Sequence, residues 1–184
     1  MLEQEYKKLL TREQYEEVLK TFAWDDDYDQ INIYYGEDEC GDKPGRPTVR
    51  IRSKKGHMML EAKVPKGASD KAVKVSEEYA REIACVPYVL SGEELSDLTG
   101  IADMGERHIL GLLATNRKTN HEYEGCEIAL DRNEYSGMTD YEIEIEFETE
   151  LPKELLAKLD FLSIDITKRT VGKYRRFLER TFRK

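Results

Sequence analysis

Between Tyr141 and Glu148 the chain alternates without a break, with Tyr141, Ile143, Ile145 and Phe147 set against Glu142, Glu144, Glu146 and Glu148. Successive residues of a β-strand point to opposite faces, so this segment is a strand with one apolar side and one acidic side. The apolar side must be covered, and the acidic side must meet either water or counter-charge. The same pattern recurs. Glu3, Glu5 and Lys7 alternate with Leu2, Gln4 and Tyr6; Arg50 and Arg52 with Val49 and Ile51; Glu61 and Lys63 with Leu60, Ala62 and Val64; Glu127 and Asp131 with Ile128 and Leu130. A sheet of such strands has two solutions. Its charges can stay in water as cross-strand pairs worth well under about 1 kcal/mol each. Alternatively the sheet curls so that the charged face lines a cavity while helices cover the apolar outside. Exposed sheet faces normally carry many Thr, Ser and Gln, whereas Glu, Arg and Lys dominate here, which weighs toward the curled sheet.

The 184 residues are enough for one domain with a sizeable core, spanning 1–184. A net charge of -9 argues against a general nucleic-acid or acidic-membrane surface, so the basic residues must be concentrated to bind an anion. No apolar run approaches the roughly 20 residues needed to span a bilayer, and the first residues lack the basic and apolar regions of a signal peptide. A cytoplasmic location is the expectation. Cys40, Cys85 and Cys126 form no CxxC pair or metal-finger spacing, which suits free thiols in a reducing compartment.

Along the chain, Thr11 and Gln14 have capping-box spacing ahead of Tyr15, Val18, Leu19 and Phe22, predicting a helix over 12–23. Asp25, Asp26, Asp27 and Asp29 lack the Gly and closing Glu of a calcium loop and read as a solvated helix-to-strand turn. A strand at 30–35 leads to a Gly- and Pro-rich loop at 36–47, and strands at 48–53 and 57–64 join through Lys54-Lys55-Gly56. Ser69 is expected to cap a helix to Ala84 that buries Ala72, Val75, Tyr79 and Ile83. Ser91 with Glu94 caps a short helix, and another is expected from Ala102 to Leu110. Strands at 112–121, 125–132 and 140–149 follow. Pro152 opens a helix carrying Leu155, Leu156, Leu159 and Leu162, and a last helix from about 170 turns Val171, Tyr174, Phe177 and Leu178 inward. Trp24, Tyr34 and Tyr35 read as packing residues, and His57, His108 and His121 as surface or loop residues.

Clustered carboxylates such as Glu3, Glu5, Glu142 and Glu144 would repel one another unless a divalent cation sat among them. Oxygen-only ligands favour Mg²⁺ or Mn²⁺ over zinc. Lys7, Arg50, Arg52, Lys63 and Arg117 supply the point charges and guanidinium forks that suit phosphate oxygens, although Arg117 could instead pair with Glu122 or Glu124. A metal bridging carboxylates to a phosphate within a ring of cations describes phosphoryl transfer.

Glu3-Gln4-Glu5-Tyr6-Lys7 fits the ExExK signature of the CYTH family, the triphosphate tunnel metalloenzymes. Residues 30–35 resemble that family's second strand, Val49-Arg50-Ile51-Arg52 its Arg-x-Arg strand and Leu60-Glu61-Ala62-Lys63 its Lys-bearing strand. Leu130-Asp131 and Tyr141-Glu142-Ile143-Glu144 resemble its later acidic strands, and Lys173 with Arg176-Phe177 its C-terminal basic element. The resemblance implies an α+β fold: an eight-stranded antiparallel β-barrel tunnel with a charged interior and helices packed outside. It implies that Glu3, Glu5 and Lys7 are catalytic, with Glu3, Glu5, Glu142 and Glu144 as metal ligands and Glu146 an alternative. Lys7, Arg50, Arg52, Lys63, Arg117, Lys173 and Arg176 become phosphate contacts, and Glu61, Glu127, Asp131 and Glu146 supporting partners. Lys173 and Arg176 share one side of a helix, a spacing that solvated helix faces also show.

Hydrolysis of inorganic tripolyphosphate is the leading expectation, because no segment reads as a pocket for a base or for thiamine. Thiamine triphosphatase, class IV adenylate cyclase and a non-enzymatic polyphosphate-binding module are the alternatives. The expected partner is a small triphosphate rather than nucleic acid or a membrane, and a homodimer is an admissible assembly.

Overall fold

The computed structural model describes residues 2–37, 46–66, 73–168 and 170–182. Nine strands and four helices follow one another as β1 (Leu2–Leu10), α1 (Arg12–Thr21), β2 (Asp26–Gly36), β3 (Thr48–Lys54), β4 (His57–Pro65), β5 (Lys74–Glu82), β6 (Val89–Leu90), α2 (Gly92–Thr99), β7 (Arg107–Asn120), β8 (Cys126–Tyr135), β9 (Met138–Phe147), α3 (Lys153–Phe161) and α4 (Lys173–Phe182). Eight strands run in the order β2-β3-β4-β5-β1-β9-β8-β7, and β7 pairs back onto β2 to close an antiparallel barrel. The two-residue β6 adds to β7 beyond the barrel. Closure removes the open edges that a charge-lined sheet would otherwise leave unpaired.

The alternation seen in the sequence decides which side of each strand faces the lumen. On β9, Ile143 and Ile145 are fully buried on the outside, and Glu142 and Glu144 are equally buried on the inside. One apolar cluster packs Leu10, Tyr15, Val18, Phe22, Leu155 and Leu159 against Ile128, Leu130, Ile143 and Ile145, so α1 and α3 cover β8 and β9. A second packs Leu95 of α2 and Met104 over Tyr35, Val49, Ile51, Leu60 and Ala62. The third lies within one mouth of the barrel, where Phe177 and Leu178 of α4 meet Tyr34, Leu113 and Tyr135. Those three continue the inward sides of β2, β7 and β8, so α4 caps this mouth.

Local signals explain most boundaries. Thr11 with Gln14 and Ser91 with Glu94 form complete capping boxes, satisfying the first amides of α1 and α2. Lys55 and Gly56 both take positive φ, 50° and 83°, as the two-residue turn between β3 and β4 requires.

Four expectations are corrected. The predicted helix over 69–84 is strand β5 over its described part, pairing with β1 and β4. Val75, Tyr79 and Ile83 are four apart, a spacing that puts them on one side of a strand as well as one side of a helix. The predicted helix 102–110 is coil to Glu106 followed by the start of β7, where fully buried Arg107 pairs with Glu37 at 3.1 Å. Asp26, Asp27 and Asp29 lie within β2 rather than in a turn; Asp26 pairs with Lys55, Asp27 with Lys118, and Asn116 donates to Asp27 and Asp29. Val171 is exposed ahead of α4 rather than turned inward. Ser69, Ala72, Cys40 and the centre of the predicted 36–47 loop lie outside the described residues. Cys85 is exposed and Cys126 buried, both as free thiols. Trp24 packs against Phe22, and the three histidine side chains are each at least half exposed. Among the described residues no helix is long and apolar enough to cross a membrane.

Candidate active site

The lumen holds a cavity of about 330 Å³. Its wall is contributed strand by strand at every second residue: Glu3, Glu5 and Lys7 from β1, Asn32 and Tyr34 from β2, Thr48, Arg50 and Arg52 from β3, Glu61 and Lys63 from β4, Lys74, Ser76 and Glu78 from β5, Arg117 from β7, and Glu144 and Glu146 from β9, with Lys173 and Tyr174 entering from α4. Register sets the neighbours. Glu5 lies opposite Glu146 on one side and Lys74 on the other, Lys7 opposite Glu144, Arg50 opposite Glu61, and Arg117 opposite Asp131.

Two acidic trios result, each with carboxylate oxygens within 4.8 Å of one another: Glu3, Glu5 and Glu146; and Asp131, Glu142 and Glu144. They are balanced differently. The second trio is saturated with cations. Arg117 donates to Asp131 at 2.8 and 2.7 Å and to Glu144 at 2.6 Å, Lys173 pairs with Asp131 and Glu144, and Arg176 donates to Glu142 at 2.6 Å. Although burial pushes the other way, Lys173, Lys7 and Arg117 hold the Glu144 carboxyl well below the usual range. Burial and the neighbouring Glu144 push Glu142 up.

The first trio is short of cations. Burial, reinforced by Glu5 and Glu146, pushes the Glu3 carboxyl up to about 9 against the pull of Lys63. Burial and Glu144 raise Glu146. Glu5, itself buried, is held below its ordinary value by Lys7 and Lys63, at 2.6 and 3.3 Å. Neither of its oxygens accepts a well-formed hydrogen bond among the described residues. Lys7 and Lys63 serve Glu5, but the carboxyls on either side of it stay raised, so the trio as a whole is short of positive charge. Three converging oxygen donors fit a hard divalent cation such as Mg²⁺ or Mn²⁺.

Of the residues expected at the site, Glu3, Glu5, Lys7, Arg50, Arg52, Glu61, Lys63, Arg117, Glu144, Glu146 and Lys173 line the cavity. Glu142 and Asp131 are also on the inward face but fully buried beneath Lys173 rather than lining the cavity. Arg176 also stands outside the cavity, with Asp140 at 2.9 Å, Glu142 and the Val171 carbonyl as its partners. Glu127 pairs with His121 at 2.9 Å at the protein surface. Lys74, Ser76 and Glu78 were missed because β5 reads as a helix, although period two from Lys74 would have grouped all three. Tyr34 is both packing and wall: its ring sits 4.9 Å from Tyr174 and 5.1 Å from Phe177.

The model of the CYTH domain matches residues 1–176. This chain belongs to the CYTH domain family. Among solved structures, the CYTH chain is similar to a Bacillus halodurans protein provisionally described as an adenylate cyclase, with 26% identity over 94% of this chain and 95% of that one and a TM-score of 0.67. It is also similar to HpAC1 from Hippeastrum, a provisional adenylyl cyclase with a dominant triphosphatase activity, at 24% identity over 95% and 94% of the chains and a TM-score of 0.68. A third, PH1819 from Pyrococcus horikoshii, shares 22% identity over 96% and 98% with a TM-score of 0.62. No curated protein matches the chain in sequence.

Proposed function

We propose that this CYTH protein is a divalent-metal-dependent hydrolase of triphosphates, acting on inorganic tripolyphosphate to give pyrophosphate and phosphate. The observation that carries the reading is the Glu3–Glu5–Glu146 trio, short of positive charge, lining one cavity together with Arg50, Arg52, Lys63 and Lys7. Mg²⁺ or Mn²⁺ held by those three carboxylates would polarise a phosphate and offset its charge. The chain's own groups do the rest. Arg50, braced by Glu61 at 2.7 Å, and Arg52, braced by Asn32 at 3.1 Å, present their guanidinium forks to the anion. Lys7 is locked between Glu5 and Glu144 at 2.6 and 2.8 Å, a fixed cation for charge that develops on the leaving oxygen. Arg176 is a positioning residue, tying α4 to β9 so that Lys173 reaches the lumen.

The wall supports an inorganic substrate. More than half of its residues are ionic, and its two aromatic rings, Tyr34 and Tyr174, pack on each other, with Tyr34 also against Phe177. Likeness to the Bacillus halodurans protein favours a second reading, cyclisation of ATP. The two separate in one assay of tripolyphosphate, thiamine triphosphate and ATP with Mg²⁺, Mn²⁺ or EDTA, read for phosphate, pyrophosphate and cyclic AMP. Metal-dependent phosphate from tripolyphosphate is the expected result. Cyclic AMP from ATP with tripolyphosphate untouched would replace this reading with the second.

A further inference from the structure

With one exception, every cation that lines the cavity is already engaged by a carboxylate. Lys7 has Glu5 and Glu144, Arg50 and Arg52 share Glu61, Lys63 has Glu3 and Glu78, Arg117 has Asp131, and Lys173 has Asp131 and Glu144. An incoming polyanion must compete with those carboxylates before it gains anything from such a cation. Strand β5 differs. Lys74 projects into the cavity opposite Glu5, and among the described residues it forms no ion pair or hydrogen bond. The next inward residue is Ser76, opposite Glu3, only 5% exposed and with its hydroxyl lacking a hydrogen-bond partner among the described residues. A buried donor left unpaired costs free energy comparable to a lost hydrogen bond, so its retention here points to a partner from outside the chain.

We propose that Lys74 and Ser76 form a phosphate-binding clamp on β5, facing the Glu3–Glu5 strand. The inference rests on the reading of the cavity as a triphosphate site and adds a wall to it. Lys74 brings a positive charge whose use breaks no existing pair, and Ser76 brings one O–H donor an inward step further along the strand. Their spacing, two residues on one strand, puts both on the same face about 7 Å apart along the chain, so that a long lysine and a short serine side chain can converge on one linear substrate. The Lys74 ammonium also approaches the segment entering α4: a Cβ built at Gly172 would lie 3.4 Å from its Nζ. The clamp therefore joins β5 to the point where Lys173 enters, and closes the cation ring between β4 and α4.

The test is equilibrium binding of tripolyphosphate by titration calorimetry, with Mg²⁺ and with EDTA, on the full chain. Lys74→Met should weaken binding on the order of 10- to 100-fold, as expected for a charge-assisted hydrogen bond, and Ser76→Ala by about 5- to 10-fold. Lys74→Arg should recover most of the loss. Lys8→Met, on the outward side of β1, should bind as wild type does and controls for net charge. Wild type that fails to bind tripolyphosphate overturns the function reading itself. Wild type that binds, with Lys74→Met and Ser76→Ala binding equally well, overturns the clamp alone. If Lys74→Met does not fold, Lys74→Arg and Ser76→Ala still decide, since a clamp requires the serine variant to bind more weakly.

Discussion

At the level of single residues, the site is a problem of charge placement. Glu5 is the carboxylate on which the trio turns: against burial, Lys7 and Lys63 hold it below its ordinary value, yet both carboxyls beside it are raised. Glu146 completes the trio from β9, so Glu146→Gln should lower Mn²⁺ affinity about 10-fold or more, while Glu16→Gln, on the exposed side of α1 where it pairs with Arg12, should leave it unchanged. Titration of Mn²⁺ into each variant reads this directly; equal losses would mean the trio is misassigned. Arg52→Ala should weaken tripolyphosphate binding roughly 10- to 100-fold, since a guanidinium fork is lost at a site that also carries Arg50, and calorimetry would show it. Most of these residues could be named from the chain because ExExK, Arg-x-Arg and the glutamate ladder are all written at period two. Which glutamates meet could not. The β1–β9 register sets Glu5 against Glu146 and Lys7 against Glu144, and no local pattern encodes that offset.

Of the described helices, α4 is the one that contributes to the cavity wall, and its seat depends on one glycine. Gly111 on β7 has φ +147°, and a Cβ there would meet the Phe177 ring at 3.0 Å. Gly111→Ala should therefore displace α4 and destabilise the protein by about 1–3 kcal/mol, visible in urea unfolding, with a larger fractional loss of turnover than a remote surface substitution gives. The helix is also held by Arg176 on Asp140. Burial works against the Asp140 carboxylate, but hydrogen bonds from Arg176, Tyr135 and Asn133 bring it below its ordinary value of 3.8. A group depressed in the folded state contributes its stability in full above that ordinary value and loses it as pH falls toward the folded one. Wild type should thus exceed Asp140→Asn in thermal stability at about pH 6, with the gap narrowing toward about pH 3. A gap independent of pH would remove the ionic anchor. The same scale shows where sequence reading falls short. The capping boxes at Thr11 and Ser91 announced α1 and α2, whereas β5 was hidden because residues four apart satisfy both periods. The start of β7 was hidden because Arg107 pairs with Glu37, a partner distant in sequence.

For the molecule as a whole, the organising fact is that β7 returns to β2 and turns a charged sheet inward. A barrel with many ionic groups inside is expensive to fold unless each is paired, and four cations, Lys7, Arg117, Lys173 and Arg176, supply most of that pairing to the second trio. The first trio and the β5 donors are where pairing is incomplete, and they face the same lumen. Filling them should stabilise the fold. Tripolyphosphate with Mg²⁺ at about 100 times its Kd should add roughly 2.7 kcal/mol and raise the melting temperature by several degrees, more than either alone. An unchanged melting temperature would mean that the lumen is not the binding site. The recurrence of one-sided ionic strands left two arrangements open, a solvated sheet and a curled one, and the ExExK, Arg-x-Arg and later acidic motifs decided for the tunnel through the family they resemble.

The most direct test of the account is phosphate release from tripolyphosphate by wild type and Glu5→Gln, each with Mg²⁺ and with EDTA. Release by wild type only when the metal is present, and none from a folded Glu5→Gln that still binds tripolyphosphate, is the predicted result. Equal release by both proteins, or release that EDTA leaves untouched, would contradict it.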